Sequence, residues 1–172
     1  MVVPTLRPLV PTDLERIVEL NNEAYPAVPV TTIEEMAELL ELASLQVVAE
    51  NEGRVIGFVL AIDPGSAYTS ENYTFFTERA ADTGLTGLYV DRVVIDVNDR
   101  GRGTGRLLYS AVFDRARADG RDEVTCEVNL DPPNPGSLAF HARLQFARVG
   151  EQPTKGGSVI VALLAAAVWK HR

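Results

Sequence analysis

Arg100-Gly101-Arg102-Gly103-Thr104-Gly105 lies between an apolar run, Val93-Val94-Ile95, and a helical pattern that begins at Arg106. Strand, glycine-rich turn and helix, in that order, build a backbone cradle for a phosphate or pyrophosphate. The glycines clear side chains from the ligand's path, and the helix N-terminus offers unpaired N–H groups with a partial positive charge. Downstream, Asn134-Pro135-Gly136-Ser137-Leu138-Ala139-Phe140-His141 extends the case.

Three phosphate-binding patterns compete for the loop. A Walker-type loop needs Lys and then Ser or Thr after its last glycine, and Arg106-Leu107 stands there instead. A dinucleotide fingerprint wants G-x-G-x-x-G early in a βαβ unit; Gly101, Gly103 and Gly105 lack that spacing. The third pattern is Arg or Gln, two residues, Gly, one residue, then Gly or Ala, which Arg100, Gly103 and Gly105 fit. It is the acetyl-CoA pyrophosphate loop of the GNAT superfamily of N-acetyltransferases, and the chain resembles that family. Asn134-x-x-Ser137-x-x-Phe140-His141-x-x-Leu144-Gln145-Phe146 looks like the family's second cofactor segment, with Gln145 where glycine is usual. The resemblance spans roughly residues 45 to 165.

The resemblance implies an α/β fold with a mixed, mostly antiparallel sheet of six or seven strands, flanked by about four helices in one domain over residues 1 to 172. It also implies direct acetyl transfer from acetyl-CoA to an amine in a ternary complex. Arg100, Gly101, Arg102, Gly103, Thr104, Gly105 and Arg106 would hold the pyrophosphate. Backbone groups of Val93, Val94 and Ile95 would hold the pantetheine, and Asn134, Ser137 and His141 would face the cofactor from a second helix. The alternatives are an acyl-CoA-binding regulatory domain without turnover, or acylation of a hydroxyl or with a longer acyl group.

Composition narrows the partners. The chain has 172 residues and a net charge of −8, which disfavours nucleic acid and favours a cationic acceptor. Cys126 is the only cysteine, so no intramolecular disulfide forms and a reducing cytoplasm is expected. No signal-peptide pattern opens the sequence. The longest apolar run, residues 159 to 169, is too short to span a bilayer and reads as a buried strand. With His141 and His171 the only histidines, no metal site is expected. A homodimer is compatible with this reading.

Along the chain, residues 2 to 9 read as a strand, and Thr12 with Glu15 as a capping box for a helix reaching Tyr25. Thr32 with Glu35 opens a second helix with the face Ile33, Met36, Ala37 and Leu40. Residues 45 to 50 and 54 to 62 form a hairpin around Asn51-Glu52-Gly53. Residues 63 to 87 read as a long loop with a short helix near 75 to 81. Residues 88 to 97 and 122 to 130 are strands enclosing a helix that ends at Gly120, and two strands follow the Asn134 helix.

Acetyl transfer needs a neutral amine, a stabilised thioester oxygen and a proton for the departing thiolate. His141 is the expected donor, standing where many relatives of the resembled family carry Tyr. For the base, Asp91 shares a strand face with Tyr89, Val93 and Ile95, with Arg92 directed to the opposite face; Glu127 is a second candidate, Asp63 a weaker third, and a water chain a fourth. Cys126 reads as a buried strand thiol. Tyr25, Tyr68 and Tyr73 are candidates for an acceptor pocket, and Arg143 for a ribose-phosphate contact.

Overall fold

The computed structural model describes residues 2–169. The chain packs as two units, Met1–Ile62 with Asp91–Val112, and Asp63–Val90 with Phe113–Arg172. The architecture is α/β. Seven strands run in the order β1-β2-β3-β4-β5-β7-β6, and five α-helices accompany them among the described residues. Pairs β1/β2, β2/β3, β5/β7 and β6/β7 are antiparallel, whereas β4 and β5 are parallel.

The first unit opens with β1 (Thr5–Pro8), α1 (Leu14–Glu23) and α2 (Ile33–Leu42), followed by the hairpin β2 (Leu45–Asn51) and β3 (Arg54–Ile62). Its core joins Ile17, Leu20, Met36 and Leu39 to Val48, Phe58 and Leu60. From Val55 onward β3 is buried at every position, which explains its unbroken apolar run: both faces are covered. The hairpin forms as expected, with Asn51 opposite Arg54. The Thr32/Glu35 box is also complete, Glu35 N–H donating to Thr32 Oγ1 at 3.1 Å and Thr32 N–H to Glu35 Oε2 at 2.9 Å.

Two local expectations need correction. The Thr12/Glu15 box does not start α1. Residues Pro11–Asp13 form a 3-10 turn instead, and Asp13 accepts from Val10 N–H at 2.9 Å while pairing with Arg7 at 2.8 Å. Arg7 also binds Glu50 at 2.8 Å, so a charge brought in from β1 fixes where α1 begins. On α2 the buried residues are Met36 and Leu39, whereas Ile33 is exposed.

The second unit contains α3 (Glu71–Thr83), β5 (Glu123–Asp131), α5 (Pro135–Arg143), β6 (Ala147–Thr154) and β7 (Val159–Ala167). The long loop expected over 63 to 87 is largely α3, which is longer than the sequence suggests. Ser70 Oγ accepts from Tyr73 N–H at its start, and Gly84, at φ 73°, ends it. The segment before it is tied down by Tyr73, whose hydroxyl donates to Asp63 O at 2.7 Å and accepts from Ser66 N–H at 3.0 Å. The apolar run at the chain's end is β7, buried from Val161 to Ala166. Strand β4 (Gly87–Ile95) and helix α4 (Thr104–Ala118) each give one part to either unit. Among the described residues, no helix is long and apolar enough to cross a membrane.

Candidate functional site

In the first unit, the glycine-rich loop is braced at its entrance. Asp96 directly follows β4, with its N–H donating to Ile56 O at 2.8 Å. It is 3% exposed. Its Oδ2 accepts from Arg16 and Arg54, each at 2.7 Å, and its Oδ1 from the N–H of Asn98 at 3.0 Å. That backbone bond, with the two guanidiniums, holds the carboxyl below its ordinary value against the opposing effect of burial. Arg100 Nε donates to Ile95 O at 3.3 Å, and Arg102 pairs with Asp99 at 3.7 Å. Arg100 thus organises the loop, whereas Arg106 is exposed.

Gly101 and Gly103 have φ of 72° and 86°, and a Cβ added to either would meet nothing within 4 Å. The Gly103 carbonyl accepts from Leu107 N–H at 3.0 Å, so the first N–H groups of α4 lack partners inside the helix. Thr104 is buried with its Oγ1 unpartnered. Positive-φ glycines, an open approach and a helix start fit a pyrophosphate.

Asp91, on β4, meets Arg92 Nε at 3.1 Å, so Arg92 does not simply point away as expected. Its long side chain bends round and also donates to Asn21 Oδ1 at 2.6 Å and Pro29 O at 3.4 Å. Asp91 therefore helps hold an arginine that ties β4 to the segment after α1. Tyr25, in that segment, is exposed.

In the second unit, Asn134 caps α5 by accepting from Ser137 N–H at 3.3 Å. His141 Nδ1 lies 2.8 Å from Ser137 O. Asn134 and His141 are thus both tied to Ser137 through its backbone. A carbonyl only accepts, so this contact is a hydrogen bond in the tautomer with the proton on Nδ1, which leaves Nε2 the acceptor of the neutral ring; Ser137 Oγ also lies 3.3 Å from Nδ1. His141 is 3% exposed, between Phe140 and Phe146 at 5.2 Å each. Burial pushes its pKa down, and the Ser137 bond offsets this only in part. Donation from Nε2 would require the imidazolium, the form that burial disfavours. Gln145, at φ 68°, keeps the left-handed turn that glycine usually supplies, and Phe146 N–H closes the helix on His141 O at 3.1 Å.

The lowered pKa makes a prediction. The unfolded chain takes up His141's proton near 6.5, the folded chain only at lower pH. His141 therefore favours folding above that value, and the contribution is lost as pH falls through the folded pKa. The melting temperature should fall on acidification in this window. His141→Phe should flatten the slope; an unchanged slope would contradict a neutral buried ring.

Glu127, on β5, receives the Tyr89 hydroxyl at 2.9 and 2.8 Å on its two oxygens. Sequence reasoning placed Tyr89 only as a neighbour of Asp91; the signal available was its shared face at the end of a strand. Asp63 sits 3.5 Å from both Arg115 and Arg121. Tyr73 is packed, its hydroxyl engaged, with Tyr68 at 5.7 Å. Arg143 is exposed and Cys126 buried. His171 lies outside the described residues. Among these, no group of three or more His, Cys, Asp or Glu could hold a metal ion.

Residues 14–146 match the acetyltransferase (GNAT) family. The chain is 32% identical over 109 residues to the L-2,4-diaminobutyric acid acetyltransferase of Nocardia farcinica, covering 63% of this chain and 46% of that protein. It thus spans under half the length of that relative. With the L-methionine sulfoximine/L-methionine sulfone acetyltransferase of Pseudomonas aeruginosa it shares 26% identity over 144 residues, 84% of this chain and 80% of the other. A phosphinothricin acetyltransferase from Sinorhizobium meliloti, solved in complex with acetyl-CoA, superposes with a TM-score of 0.72 at 22% identity, over 97% of this chain and 89% of that one.

Proposed function

The chain belongs to the acetyltransferase (GNAT) family, and on that premise we propose that it transfers an acetyl group from acetyl-CoA to the amine of a small amino-acid-like acceptor. The observation that carries the cofactor assignment is the loop ahead of α4, with Gly101 and Gly103 at positive φ and open space where side chains would stand. Thr104, Gly105 and Arg106 would offer N–H groups to the pyrophosphate, while Arg102 and Arg106 supply positive charge. The thioester supplies the activated acyl group. Val93, Val94 and Ile95 would hold the pantetheine arm through backbone groups, and Asn134, Ser137 and His141 form the second cofactor segment.

Glu127 is the carboxylate we assign to the amine, accepting its proton directly or through water as the nitrogen attacks the carbonyl carbon. Asp91, engaged with Arg92, is better suited to holding the backbone near the reaction. The His141 tautomer favours a positioning role, with water protonating the departing thiolate. Both curated relatives are named for small amino acids or their analogues, and the acidic composition suits a cationic acceptor. The buried, single Cys126 is compatible with a reducing cytoplasm as the place of action.

The test is thiol release from acetyl-CoA against a panel that includes L-2,4-diaminobutyrate, L-methionine sulfone, polyamines and peptides with free N-termini. Turnover with an amino acid at a rate well above the peptides supports the reading. Turnover confined to peptides overturns the acceptor class. Tight CoA binding without turnover across the panel would make the chain a binding module.

A further inference from the structure

The parallel ladder between β4 and β5 is short. It pairs Gly87 with Glu123, Leu88 with Val124 and Tyr89 with Thr125, and ends there. The next β5 residue on the Thr125 face is Glu127, since side chains alternate along a strand. Tyr89 reaches diagonally past the last pair to it. One phenolic proton is shared between two carboxylate oxygens at 2.9 and 2.8 Å, so the bond fixes the orientation of the whole carboxylate.

Tyr89 is itself immobilised. It is 2% exposed, with its ring 5.5 Å from that of Tyr73 at 67° and 5.8 Å from that of Phe76. Both neighbours come from α3. Tyr73 is anchored in turn through its hydroxyl to Asp63 O. A long, flexible glutamate side chain is therefore held at the end of a rigid aromatic series.

We propose that Tyr89 is a positioning residue for Glu127, holding the carboxylate in the orientation from which it takes the acceptor's proton. The proposal rests on the assignment of Glu127 made above. It also gives α3 a purpose, as the element that seats Tyr89.

A double-mutant cycle in the full chain tests it, using the best amine of the panel and reading kcat, both KM values and the melting temperature. Tyr89→Phe keeps the ring and removes only the donor. We expect kcat to fall about tenfold, a fraction of what a general base contributes, with KM for acetyl-CoA unchanged. In the Glu127→Gln background the same change should have no further effect on kcat. An equal loss in both backgrounds, or no loss with Glu127 intact, overturns the proposal while leaving Glu127 in place. Full activity of Glu127→Gln overturns the underlying assignment and the proposal with it. Glu127→Asp provides a second route if Tyr89→Phe does not fold. It keeps the charge but draws it back from the phenol, and should lose kcat to a similar degree; full activity would overturn the proposal.

Discussion

Gly103→Val should abolish most of the thermal stabilisation that the proposed CoA binding would give. A ligand at a hundred times its Kd adds about 2.7 kcal/mol by mass action. For a chain of this size each kcal/mol corresponds to roughly 2–4 °C, so the unsubstituted protein should gain about 5–10 °C. Gly103 stands at φ 86° with nothing within 4 Å of an added Cβ. The space is open in the protein alone, so no neighbour resists the new side chain. Two effects then act together. Valine at positive φ is strained by about 1–2 kcal/mol or more, and its branch fills the approach that the first N–H groups of α4 need for a pyrophosphate. Thermal scans with and without CoA check this, with NAD and ATP as controls expected to give no comparable shift. A folded variant with undiminished CoA affinity would remove the loop from the binding site.

Asp96→Ala should strongly destabilise the first unit. The buried carboxylate accepts from Arg16, Arg54 and Asn98 at 2.7 to 3.0 Å, and its loss leaves the largely buried Arg16 guanidinium without this partner while Arg54 turns to solvent. Removing one partner of a buried charge pair costs about 3–5 kcal/mol. The exposure of Arg54 brings the expectation to about 2–4 kcal/mol, or a melting temperature lower by roughly 5–15 °C. The pH dependence has a definite sign. The bond from Asn98 N–H and the two arginines place the folded pKa below the ordinary 3.8. The contribution is therefore complete above that value and lost as pH falls through the folded pKa. Asp96→Ala should show a shallower decline in stability on acidification; a decline as steep as that of the unsubstituted protein would mean Asp96 carries no such contribution. Because Asp96 stands directly before the loop, CoA affinity should weaken as well.

Most of the fold was readable because local chemistry and long-range packing agree. The Thr32/Glu35 box, the Asn51-Glu52-Gly53 turn and the glycine-rich loop each specify their geometry within a few residues. Where the reading failed, a distant group decides. The start of α1 depends on Arg7 drawing in Asp13. Helix α3 has strong end signals but only Tyr73 and Phe76 buried along it, too few to make a periodic stripe. For the candidate site, spacing placed the glycine-rich loop ahead of a helix and Asn134 at the start of another. It did not show that Arg92 folds back on Asp91, nor that Tyr89 meets Glu127 across 38 residues. The surroundings of His141 could not be read either, since its Nδ1 meets a helix carbonyl and its ring is buried beside two phenylalanines.

Cys126 adds one more consequence. It is the only thiol in the chain, 3% exposed on β5, the strand that also carries Glu127. A shielded thiol reacts with a small alkylating or disulfide reagent only in molecules whose strand has opened. The folded protein should thus be nearly silent to such reagents. Its slow modification rate would then be a clock for the opening of β5, needing no engineered label. Run beside the acylation assay, that clock would show whether a substrate that fills the site also holds the strand shut.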